Sequence, residues 1–159
     1  MTIRKEAKVP SFLKEVNLFD GLDNKVINQI FRLGYVQNFR KGDSIIREGE
    51  HGGNIHILIN GKAEVLKSVK GKGSKGKQLS KIGRGSIFGE MSVFDGAPYS
   101  ASVRALEDCD VHIMRGTDFK WFLSENPKVG VEILETLISS ISNRLRRANM
   151  AISVHQKDR

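Results

Sequence analysis

The residues with the clearest chemical potential in this chain are grouped as Gly89-Glu90-Met91-Ser92, with Ser100 following. A glycine ahead of a short helical turn aims several backbone N–H groups at one anion, which makes a cradle for a phosphate. Glu90, beside that turn, can accept a hydrogen bond from a sugar hydroxyl, while Ser92 and Ser100 add backbone and hydroxyl donors. Taken alone, the Gly-Glu pair fits an ordinary turn with a solvated carboxylate equally well. Other chemistries are less well served. His51, His56, His112 and His155 lack the short His/Cys spacing of a zinc site, so no metal is expected. Cys109 lies between Asp108 and Asp110, whose negative charge discourages a thiolate. There is no Ser/His/Asp order, Walker-type loop or paired-carboxylate pattern, and an enzyme is not expected.

The elements that must position these residues are short. Glycines punctuate alternating segments from about Tyr35 to Met114, which is the pattern of turns joining short strands. The spacing predicts strands over 36–39, 44–47, 55–59, 62–66, 78–82 and 110–114, with another following Ser100. Asn60-Gly61 reads as a tight hairpin turn, with Ile55, Ile57 and Ile59 facing one side and Ala63 and Val65 joining them. Many short strands with regular turns predict a mainly β fold with flanking helices: a jelly-roll β-barrel plus N-terminal helices and a long C-terminal helix. Thr117 is the expected N-cap of a helix over 118–123, in which Phe119, Trp121 and Phe122 read as core. Asn126-Pro127 then opens the long helix.

In that helix Val131, Leu134, Ile138, Ile141, Leu145, Ala148 and Ile152 are spaced as a heptad seam. Ile133 and Leu137 lie beside it and would cover the barrel, leaving the seam for a parallel homodimer with Arg144, Arg146, Arg147 and Asn149 along its edge. A long surface helix packed on its own domain is the alternative. The expected organisation is an N-terminal segment (1–16), a barrel domain with flanking helices (17–127) and a C-terminal dimerisation helix and tail (128–159).

The 159 residues suit one main core, and 39% hydrophobic with 28% charged residues is a globular composition. Twenty-six Lys+Arg against 18 Asp+Glu give a net charge of +8, which favours anionic partners. Much of the excess lies between Glu64 and Glu90, in Lys67, Lys70, Lys72, Lys75, Lys77, Lys81 and Arg84, around a Lys/Gly/Ser stretch over 67–77 that reads as a mobile hairpin tip. It is a docking surface for an acidic partner or a solvated loop, and the lack of interleaved aromatics favours the loop. A single cysteine, no secretory signal and no long apolar run predict a cytoplasmic protein without a membrane partner.

From Leu18 to Ile152 the chain resembles the cyclic-nucleotide-binding domain family, which includes bacterial cAMP-receptor transcription factors and regulatory subunits of cAMP-dependent protein kinase. The resemblance rests on Leu18-Phe19-Asp20-Gly21-Leu22, Arg40 to Glu50, Ile59 to Val65, the Phe88 to Val103 segment, and the helix from Asn126-Pro127 through Asn143-Arg144-Leu145. It implies a phosphate-binding cassette made of Phe88, Gly89, Glu90, Met91, Ser92, Pro98, Tyr99, Ser100 and Ala101. Gly89, Met91 and Ser92 would offer main-chain contacts to a cyclic phosphate, Glu90 would hold the ribose 2′-hydroxyl, Ser100 would meet the phosphate, and Asn149 could read a base edge. The ligand implied is cAMP first and cGMP second. One position departs from the family, because Pro98 is followed by Tyr99 where an arginine usually pairs with the phosphate. A neutral phenol then replaces a bidentate cation. Tyr99 would stack on a base or bond a phosphate oxygen, and Arg104 is a possible substitute cation.

Two functions follow from the resemblance. One is a regulatory sensor that binds a cyclic nucleotide and signals through a protein effector. The other is a degenerate cassette that survives as a dimeric interaction module. Only seven residues follow Ile152, so no helix-turn-helix domain and no nucleic-acid partner are expected.

Overall fold

The computed structural model describes residues 11–69 and 76–157. The tip of the Lys/Gly/Ser stretch, residues 70–75, therefore lies outside the described residues. Among the described residues, eight strands form two four-stranded antiparallel sheets. One has the order β1 (Gly34–Phe39), β8 (Cys109–Arg115), β3 (Asn54–Asn60), β6 (Ile87–Phe88). The other has the order β2 (Ser44–Ile46), β7 (Ser102–Ala105), β4 (Ala63–Lys67), β5 (Lys77–Ile82). This is the strand order of a jelly roll, and the fold is mainly β with flanking helices, as expected.

The strands at the centre of the first sheet are buried on both faces. Leu58 of β3 and Val111 and Ile113 of β8 point into the barrel with Ile46, Val103 and Ala105. Ile55, Ile57 and Met114 point the other way, into a second core with Leu13, Val16, Leu18 and Phe19 from two short 3-10 turns (Ser11–Glu15 and Asn17–Phe19). Ile27 and Ile30 of α1 (Asn24–Phe31) join them, in a helix whose Asp23 cap accepts a hydrogen bond from the Lys25 amide at 2.7 Å.

Asn60-Gly61 is not the turn of a paired hairpin. Here the chain leaves one sheet for the other, since β3 pairs with β6 and β8 while β4 pairs with β5 and β7. Ala63 consequently shares the barrel interior with Leu58 rather than a face with Ile55 and Ile57. Gly61, at φ +90, is needed because a Cβ would lie 2.5 Å from the Asp108 carbonyl oxygen and 2.7 Å from Cys109 Sγ.

Among the described residues, three short α-helices and one long one flank the sheets: α1, α2 (Glu90–Asp95), α3 (Gly116–Glu125) and α4 (Pro127–Lys157). α3 begins before Thr117, with Arg115 at the N-cap, because the Gly116 amide bonds the Gly53 carbonyl at 2.7 Å and fixes the entry point. Phe119 and Phe122 are buried, whereas Trp121 is 62% exposed on the outer face of the helix and is not core. Asn126 ends α3 and its side chain donates to the Phe122 carbonyl at 2.9 Å before Pro127 opens α4. Ile133 and Leu137 anchor the front of α4 in the helical core, worth roughly 1.5–3 kcal/mol each. Val131, Leu134, Ile138, Leu145 and Ile152 are exposed along its other side.

Candidate functional site

The cassette starts where β6 ends. His56 pairs with Phe88 across the β3–β6 ladder, and Gly89 follows at φ +77 as the residue before α2. A Cβ at Gly89 would stand 2.9 Å from both the Asn54 carbonyl oxygen and His56 Nδ1, so this turn tolerates only glycine. Gly89 has no side chain with which to cap α2, which leaves the amides of its first turn able to meet an outside acceptor.

Ser92 locks this turn to a second glycine segment. Its hydroxyl donates to the Gly89 carbonyl at 2.8 Å and accepts from the Gly53 amide at 3.1 Å. Gly52 must lack a side chain, because a Cβ there would overlap Ser92 Oγ at 2.2 Å. The far end of the cassette is tied to the same segment, with the Tyr99 amide donating to the Glu50 carbonyl at 3.0 Å and the Gly49 amide to the Tyr99 carbonyl at 2.9 Å.

Glu90 is 1% exposed. Its Oε1 accepts from the Arg144 guanidinium of α4, while Oε2 has no hydrogen-bond partner among the described residues. Arg144 therefore faces the cassette rather than the edge of the seam. Its spacing from Ile133 and Leu137 is the signal: all three lie on the inward stripe of the helix. The ion pair joins a buried carboxylate of the cassette directly to the long helix.

The remaining expected residues divide into buried and exposed. Phe88 is buried and stacks on His56, with ring centroids 5.1 Å apart. Tyr99, 8% exposed, meets the same imidazole edge-on at 6.2 Å. Burial raises the Tyr99 phenol above its ordinary pKa, against the opposing pull of a hydrogen bond with the Asn54 backbone. Its side chain is thus already engaged inside the barrel, and neither open stacking nor a free phenol is displayed. Met91, Pro98 and Ser100 are exposed, and Ala101 is half-buried. Asn149 is exposed on α4, well along the helix from its anchored front half.

Arg104 does not reach the cassette. It crosses to Glu64 on β4, with Nε 2.9 Å from Oε1, because strand alternation turns it away from its buried neighbours Val103 and Ala105. The guanidinium holds the Glu64 carboxyl below its usual range. A lysine does come close. Lys67 Nζ donates to the Ser100 carbonyl at 2.6 Å and lies 2.7 Å from Glu48, whose carboxyl it also pulls down. Cys109 is buried, and that burial pushes its thiol up, so it remains an unreactive thiol.

The sequence reading did not single out His56, Lys67 or the Gly52-Gly53 segment as parts of the site. His56 is brought beneath Gly89 by strand pairing, Lys67 beside Ser100 by the barrel, and neither juxtaposition has a local sequence signal. Gly52-Gly53 does have one, a glycine pair directly before an alternating run.

The family profile described as "Cyclic nucleotide-binding domain" matches residues 36–126. The chain is 28% identical over 122 residues to a cAMP-dependent protein kinase regulatory subunit of Debaryomyces hansenii, covering 77% of this chain and 26% of that one. It is 26% identical over 137 residues to the CRP-like cAMP-activated global transcriptional regulator of Mycobacterium tuberculosis, covering 86% and 58%. The chain thus spans from about a quarter to somewhat over half of these relatives. Among solved structures, a cyclic nucleotide-binding domain from Methylobacillus flagellatus superposes with a TM-score of 0.79 at 24% identity, over 92% of this chain and 82% of that one. The matched segment runs from β1 through both sheets and the cassette to the end of α3, so the chain belongs to the cyclic nucleotide-binding domain family.

Proposed function

We propose that this protein is a regulatory sensor of a cyclic nucleotide, cAMP before cGMP, that performs no catalysis itself and signals through a protein effector. The observation that carries the reading is the buried carboxylate of Glu90, with one oxygen unpartnered among the described residues and the other on Arg144 of α4. A ribose hydroxyl can donate to the unpartnered Oε2 while Arg144 holds Oε1, so that ligand and α4 share one buried carboxylate. Occupancy is thereby coupled to the position of α4, provided the ligand binds one helix arrangement more tightly than the other. The Gly89 turn receives the cyclic phosphate, with Met91 and Ser92 contributing main-chain contacts and Ser100 meeting the phosphate. Phe88, Pro98, Tyr99 and Ala101 shape the cassette, and Asn149 is the candidate reader of the base. Residues 128–159 form the output element, whose exposed stripe joins a second copy in a parallel homodimer.

A second reading has its own support. Tyr99 fills the place of a phosphate-binding arginine and is buried against His56, which suits a cassette that has lost its ligand and serves as a dimeric interaction module. Calorimetric titration with cAMP, cGMP and cyclic dinucleotides separates the two. The sensor reading expects micromolar or tighter binding of cAMP by the unmodified protein and its loss in E90A. Restoring the charge in Y99R should tighten binding by the equivalent of about 2–5 kcal/mol, roughly 30-fold to several thousand-fold. Silence in the unmodified protein with binding only in Y99R would establish the interaction module instead.

A further inference from the structure

An anionic ligand in the cassette needs a positive charge near it; Lys120 of α3 is engaged with the Val93 carbonyl of α2 at 3.3 Å, and two other cations that approach have a carboxylate already. Arg144 is on Glu90 and Lys67 on Glu48. Tyr99 is neutral at physiological pH, the more so for its burial. His56 has no such partner. It is 3% exposed, lies directly beneath the Gly89 turn, and its Nδ1 has no hydrogen-bond partner among the described residues.

We propose that in mild acid, below about pH 6, His56 takes up a proton when an anion occupies the cassette, and that the imidazolium beneath Gly89 then supplies the charge that Tyr99 does not. The proposal rests on the nucleotide-binding reading above and adds a binding residue and a linked proton to it. In the ligand-free protein burial is the larger influence on the ring and lowers its pKa from 6.5 to about 4, with a hydrogen bond to the Phe88 backbone pulling the other way. The ring is therefore neutral at pH 7, and the empty cassette carries no buried unpaired cation. Its surroundings leave room for the change. Phe88 stacks on one face, Tyr99 meets it edge-on, and its ladder partner on β8 is Ile113. The charged groups on the adjoining elements are Glu50 beside Tyr99, Glu90 and Asp95 on α2, Lys120 of α3 on the Val93 carbonyl and Arg144 on α4. His112 belongs to the other face of the sheet, stacked on Phe31 and bonded to its carbonyl at 2.8 Å.

An opposite charge within about 4–6 Å raises a histidine pKa by roughly 1–3 units. A shift to about 6 makes binding about tenfold tighter at pH 5 than at pH 7, with nearly a full proton taken up per ligand at pH 5. The test is calorimetric titration with cAMP at pH 5, 6 and 7, in two buffers of different ionisation enthalpy, on the unmodified protein and H56F. Expected are the tenfold gain and buffer-dependent heats in the former and the loss of both in H56F. The His56 ring signal of the unmodified protein, followed by NMR with and without cAMP, gives a second reading that needs no variant and should move from about 4 towards about 6. Binding that is flat with pH, or a pH slope that persists in H56F, or a ring signal that ignores cAMP overturns the proton linkage and leaves the sensor standing. Absence of cAMP binding across the whole range overturns both.

Discussion

At the residue scale, the histidine that serves an anion weakens the empty protein in acid. Because burial depresses the His56 pKa from 6.5 to about 4, the unfolded chain binds a proton between those values that the folded chain refuses. Stability conferred above about pH 6.5 is lost progressively as pH falls towards about 4. The loss at pH 4.5 is about 2–3 kcal/mol from this one group. His112 shifts in the same direction, also through burial, and adds to the effect. Urea unfolding at pH 7 and pH 4.5 without ligand should therefore show a markedly smaller drop in H56F than in the unmodified protein. Equal drops would place the acid-sensitive group elsewhere.

At the element scale, the cassette is a turn held open by glycines and closed by one serine. Gly89 combines a left-handed φ of +77 with two atoms at 2.9 Å from any Cβ, one of them a backbone oxygen that cannot swing aside. G89A should cost about 1–3 kcal/mol, read as a lower urea midpoint, and should abolish cAMP binding. Gly83 has no positive φ and nothing within 4 Å of a Cβ, so G83A is the matched control and should leave both unchanged. The turn at Gly89 and the short helix after it were legible because their signals are local, whereas that pattern alone fits an ordinary turn and only the resemblance over the longer segment implied a cassette. Alternation likewise revealed β1 to β5, β8 and the strand after Ser100. It missed β6, only two residues long, which leaves no period to read. It also misread Asn60-Gly61, since the same dipeptide serves a hairpin and a corner between sheets, and only pairing with distant β8 decides between them. His56 was invisible as a site residue for the same reason: a partner far away in sequence puts it beneath Gly89.

At the scale of the whole molecule, the 31 residues of α4 carry two stripes with different destinations. Ile133, Leu137 and Arg144 turn inward, while Val131, Leu134, Ile138, Leu145 and Ile152 remain open to solvent. The outward stripe is the proposed dimer seam, and replacing Ile138 and Leu145 together by aspartate should halve the sedimenting mass without unfolding the domain, because both are exposed. An unchanged mass would refute the seam.

The anchoring of α4 at one end also has a geometric consequence. With about 1.5 Å of rise per residue, Arg144 stands about 10 Å and Ile152 about 22 Å beyond Leu137 along the axis. If the helix pivots at Leu137 by about 10°, Arg144 travels about 2 Å and Ile152 about 4 Å. The first distance is enough to make or break a guanidinium–carboxylate contact, and the second to carry a side chain out of one interhelical hole towards the next. A sub-nanometre event at a single buried carboxylate is thus geared up, by lever length alone, to the spacing at which helices recognise one another.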